Sequence, residues 1–124
     1  MFVGIARIVL RIPDCRSLKD RRQVVRSFKA RLASRMNVSV AEVGNVERHQ
    51  VAQLGVVTVA REANACHRVL NDVRRIASTL PDAVLADVRG EILSLGEGGT
   101  GLRGGIEELL GETEGWYVDH KEDR

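Results

Sequence analysis

The stretch FVGIARIVLRIPDCRSLKDRRQVVRSFKARLASR, Phe2 to Arg35, switches hydrophobic period once, and that switch decides the fold. Up to Ile12 the apolar residues alternate. Phe2, Gly4, Ala6, Ile8, Leu10 and Ile12 share one face of a strand, while Val3, Ile5, Arg7, Val9 and Arg11 form a mixed second face. A sheet covered by helices on one side only has this pattern. Pro13 ends the strand because it cannot donate to a ladder. Ser17 offers a helix N-cap, and Asp20, three residues on, suits the positive end of the helix. Beyond it, Leu18, Val24, Val25, Phe28 and Leu32 fall on one arc of a helix.

The same period continues along the chain. NVSVAEVG and AQLGVVTVA read as two strands joined by the polar NVERHQ. A second helix is expected from about Glu62 to Leu80, with Ala65, Val69, Val73, Ile76 and Leu80 at core spacing, stopped by Pro81. AVLADVRGEIL supplies a fourth strand. The order βαββαβ predicts an α+β, ferredoxin-like split-βαβ domain over residues 1–95, an antiparallel four-stranded sheet with two helices on one face. From Gly96 the composition changes: GEGGTGLRGG has six glycines in ten residues, and residues 96–124 read as a glycine-rich linker and a mobile acidic tail.

Charge is unevenly distributed along the 124 residues. Residues 1–90 hold sixteen Lys/Arg against eight Asp/Glu, and residues 91–124 hold three against nine. The mild net charge of +2 thus conceals a basic body and an acidic tail. Residues 16–35 alone contain eight Lys or Arg and one acid, Asp20. On the first helix Lys19, Arg22, Arg26 and Lys29 are three to four residues apart and line up as a stripe. Arg16, Arg21, Arg31 and Arg35 flank it, Arg21 lying close to the apolar arc. A solubilising face usually mixes signs. Here acids at helical spacing are nearly absent, and arginine predominates, as suits bidentate phosphate contacts. The expectation is a binding protein for structured RNA or a ribosomal particle.

The third strand has no aromatic residue and the first has only Phe2, so bases have no stacking platform of the RNA-recognition-motif kind. Contacts to backbone and shape are expected instead. A second class of reading is a protein–protein interface: Val3, Ile5, Val9, Val57 and Val59 should form a continuous apolar patch on the uncovered sheet face. A two-fold homodimer would cover it.

Signals for catalysis are weak. GEGGTG matches G-x-G-x-x-G, but too few residues follow for a dinucleotide-binding unit. His49, His67 and His120 are far apart, no Cys/His set has metal-ligand spacing, and no cofactor is expected. Cys15 precedes a helix N-terminus and adjoins Arg16, yet has no base beside it. An acylphosphatase-like phosphate loop ranks third, since IPDCRS lacks glycines, Pro13 lacks an N–H, and Asp14 repels phosphate. Cys15 and Cys66 suit a reducing compartment. With no apolar run of membrane-spanning length, the chain is expected to be soluble and cytoplasmic, without membrane contact. For residues 106–124 two readings stand side by side: a tail that folds back over the basic helix and competes with RNA, Trp116 and Tyr117 packing on arginine stems, or an acidic tail that only solvates.

RSLKDRRQVVRSFKARLASRMNVSVAEVG, with QLGVV and RGEIL further on, resembles the YlxP-like family of small bacterial proteins of unknown function over residues 2–93. The resemblance implies a ferredoxin-like fold and no established activity. It also implies a link to RNA or the ribosome, through genes near those for translation initiation and ribosome maturation factors. Where the family usually has Asp and Trp, this chain has Glu47 and His49 in the loop between the second and third strands.

Overall fold

A computed structural model describes residues 1–44 and 50–96. Its elements are β1 (Phe2–Arg11), α1 (Leu18–Arg35), β2 (Ser39–Val43), β3 (Val51–Ala60), α2 (Ala63–Ser78) and β4 (Val84–Ser94). The strands form one sheet in the order β2-β3-β1-β4, every pairing antiparallel. Each helix carries the chain across a neighbouring strand, α1 past β3 and α2 past β1. This is the ferredoxin-like arrangement that the βαββαβ pattern predicts. The first compact unit is Met1–Ser94, and a second begins at Leu95. The loop with Glu47 and His49, and the linker and tail with Trp116, Tyr117 and His120, lie outside the described residues.

The core lies between the helices and the two central strands. Ala6, Ile8, Leu10 and Ile12 of the first strand and its continuation, with Ala52, Leu54 and Val56 of β3, face Val25, Phe28 and Leu32 of α1. Val73, Ile76 and Ala77 come from α2. Full burial of a side chain such as Phe28 contributes about 1.5–3 kcal/mol. The alternation along β1 therefore corresponds to one face under the helices and one left open.

At the start of α1, Ser17 has extended backbone and its Oγ accepts the Asp20 N–H at 3.2 Å. The Asp20 carboxylate in turn accepts the Arg16 N–H at 3.4 Å. These bonds satisfy donors that a helix start leaves without partners. The other end closes where Met36 turns extended and its N–H bonds to the Leu32 carbonyl.

Several expected core positions differ. Leu18 is 39% exposed, because the first helical residue overhangs the end of the packed layers. The helical row that α1 buries is Arg21, Val25, Phe28 and Leu32, so an arginine takes the place expected of an apolar residue. On α2, Cys66 is fully buried while Ala65 is half-buried, and the helix ends at Ser78 with Thr79 as its cap, earlier than Leu80.

Candidate polyanion-binding groove

By the helix's turn of about 100° per residue, Arg22, Arg26 and Lys29 lie on the flank of α1 opposite to that of Arg31. The fold puts edge strand β2 beside that first flank. An open groove of about 460 Å³ runs between them, with Arg22, Arg26 and Lys29 along its rim and Val25, Val38 and Val40 in its apolar floor. Arg22 and Arg26 are exposed and Lys29 is half-buried. Among the described residues, none of these three cations forms an ion pair within 4 Å; the ion pairs belong to Arg7, Arg21, Arg75 and Arg89. Three like charges side by side repel one another, and an anion in the groove would relieve that repulsion.

The other cations of the segment fall elsewhere. Lys19 is exposed one turn before Arg22, and Arg16 is exposed in the loop ahead of the helix. Arg31 and Arg35 are exposed, Arg31 on the opposite flank and Arg35 in the last turn. Arg21 corrects the sequence reading: it is 2% exposed and turned into the protein. Its Nη1 donates to Glu42 Oε1 at 2.5 Å and its Nε to the Val51 carbonyl at 3.2 Å. Arg21 therefore fastens α1 to β2 and β3 and is not a surface phosphate contact. It also holds Glu42, the one carboxylate among the described residues that line the groove.

On α2 the sequence reading weighed His67 only as a metal ligand and passed over Arg68 and Arg74; the helix exposes all three. His67 and Arg74 line a second groove of about 300 Å³ against β4, and Glu91, opposite Ile5 in the ladder, belongs to the other, uncovered face of the sheet. The seven-residue spacing of His67 and Arg74 in the sequence is the signal that could have placed them together.

The uncovered sheet face is less continuous than expected. Val3 pairs with Val59 and Ile5 with Val57, and Leu93 lies beside Val3, giving one apolar cluster that Glu91, beside Ile5, borders. The next row holds Arg7 between Gly55 and Arg89. Asp87 accepts from both arginines, at 3.5 Å from Arg7 and 3.3 Å from Arg89. Val9 lies beyond this charged row, between Gln53 and Asp87, and so is cut off from the other four.

Cys15 is buried, and its Sγ donates to the Ser17 carbonyl at 3.0 Å. In the turn around it, the Cys15 N–H bonds to the Ile12 carbonyl and the Arg16 N–H to Asp20. Neither amide is directed outward with others as a phosphate cradle requires. No group of three or more potential metal ligands occurs among the described residues, and no described helix is long and apolar enough to cross a membrane.

These features define a ferredoxin-like α+β domain with a cationic groove beside one edge strand. Residues 3–90 match the family described as "Protein of unknown function (DUF503)", and the chain belongs to that family. No curated protein matches it in sequence. Among solved structures it is similar to the de novo designed protein Foldit4, at 10% identity and a TM-score of 0.48, over 77% of this chain and 99% of that one. A de novo designed protein with ferredoxin fold, LFR1 1, is similar at 10% identity and a TM-score of 0.45, covering 85% of this chain and 96% of that one.

Proposed function

We propose that the protein is a non-enzymatic, cytoplasmic binding protein for structured RNA or a ribosomal particle, with the phosphate contacts made by α1. The observation that carries this reading is the row of Arg22, Arg26 and Lys29 along one open groove, without carboxylate partners among the described residues. Lys19 and Arg16 extend the row toward the helix start. Both described aromatic side chains are withdrawn, Phe28 fully buried and Phe2 half-buried on the helix-covered face, so the reading relies on backbone contacts rather than base stacking. The YlxP-like resemblance supports it through the implied neighbourhood of translation genes. The test is co-sedimentation with ribosomal particles and binding to structured RNA. Arg22→Glu with Arg26→Glu should abolish both and leave the fold intact, and unchanged binding would exclude α1 as the site.

A homodimer through the open sheet face is the second reading. It rests on the apolar cluster of Val3, Ile5, Val57 and Val59, in which Ile5, Val57 and Val59 are each more than a third exposed.

A further inference from the structure

Beyond contacts to RNA, we infer that the α1–β2 groove accepts an extended acidic peptide, which adds to the sheet as a fifth strand along β2. The two edges of the sheet differ in how they are guarded. β4 carries Asp87, Arg89 and Glu91, and its register with β1 shifts between Val9 and Leu10, an irregularity of the kind that discourages further pairing. β2 reads SVAEV, pairs in regular register with β3, and has no lysine, proline or bulge. Its one charge, Glu42, is held by Arg21. Among the described residues no strand pairs with its outer side. That edge offers backbone donors and acceptors to an incoming strand.

The groove selects the side chains. A strand laid along β2 would project alternate residues over the floor of Val38 and Val40 and toward the rim cations. Same-face side chains on a strand are about 6.6–6.8 Å apart, and Arg22 and Arg26 are about 6 Å apart along the helix axis. Carboxylates at alternate positions therefore meet successive cations. Peptide and RNA would share Arg22, Arg26 and Lys29, so each would exclude the other.

The probe is a fluorescein-labelled ten-residue peptide alternating glutamate and valine, read by anisotropy against the full chain. Its counterpart is N-methylated at the valines, which removes ladder donors and keeps every charge; a second set methylated at the glutamates covers the other register. Expected are saturable binding, at least a tenfold loss for one methylated set, and a similar loss in the Arg22→Glu, Arg26→Glu variant. Equal binding of all three peptides means charge attraction alone and overturns the inference, as does no binding. So does an assembly of two copies along β2 that the peptide cannot displace. RNA binding lost in the same variant, with no peptide binding to the native chain, defeats this inference and leaves the RNA reading standing. Peptide binding without any RNA binding does the reverse.

Discussion

Arg21 of α1 and Glu42 of β2 form an ion pair at 2.5 Å, the arginine side chain 3% exposed and the glutamate 20%. The pair ties the helix to an edge strand of only five residues. Removing one partner leaves the other charge partly desolvated. Arg21→Met is expected to cost about 3 kcal/mol, the lower end of the range for broken buried pairs because Glu42 retains some solvent. Arg21→Met with Glu42→Leu should recover the part of that loss due to the stranded carboxylate, though not the hydrogen bond from Arg21 to the Val51 carbonyl. Urea unfolding of the native chain and the two variants measures it, and a double variant no more stable than the single one would contradict the account.

Gly4 shows how closely α2 approaches β1. A Cβ there would lie 3.1 Å from Thr58 Cγ2, 3.2 Å from Cys66 Cβ and 3.3 Å from Leu70 Cδ1. Alanine ordinarily favours a strand over glycine, but three simultaneous tight contacts on both sides outweigh that gain. Gly4→Ala should destabilise by about 1 kcal/mol, seen as a lower urea midpoint with an unchanged slope. A rise in the midpoint would show that the helix moves away freely.

Both cysteines are held inside. Cys15 is 3% exposed and Cys66 is fully buried, its Sγ 3.7 Å from the Phe2 carbonyl. Iodoacetamide should label neither at an appreciable rate in the native protein and both in urea. Rapid native labelling of Cys15 would reopen the reactive-thiol reading.

β1 was legible because its buried face is apolar without a break, and β3 as a β-rich run even though Thr58 sits on its buried face between exposed Val57 and Val59; Ser17 with Asp20 marked the helix start. Arg21 was not legible as a core residue. What buries it is Glu42, twenty-one residues away on a strand that only the fold brings near. Helical spacing sets it close to the apolar arc, apart from its outward neighbour Arg22, but gives no partner that would let a guanidinium be buried there. The uncovered face failed similarly at Val9: alternation assigns a residue to a face, but only register decides which residues sit beside it. The groove floor combines Val25 of α1 with Val38 and Val40 from the approach to β2 and β2 itself, a combination that periodicity along one element cannot reveal.

Register also sets the assembly test. Ile5→Arg puts a charge in the middle of the cluster formed with Val3, Val57 and Val59. It should convert a dimer to a monomer in sedimentation. Val9→Arg, beyond the Arg7–Asp87–Arg89 row, should leave the dimer intact. Equal disruption by both would mean that the whole face is covered, and a native chain that stays monomeric at high concentration removes the interface.

Salt dependence separates the two flanks of α1. Each neutralised phosphate releases condensed counterions, so the slope of log affinity against log salt falls by about 0.7–0.9 for each phosphate that a variant leaves unneutralised. Arg22→Gln and Arg26→Gln each remove one cation from the groove rim. Each should reduce the slope on structured RNA by about that amount, and the pair by about twice as much. Arg31→Gln removes the same charge from the opposite flank and should leave the slope within error, although net charge changes equally. Arg21→Gln tests the burial assignment, because a residue 2% exposed neutralises no phosphate and so releases no counterion. Its slope should match the native one even where its stability does not. If all four variants lowered the slope alike, the interaction would follow net charge rather than position, and the groove would lose its claim as the binding site.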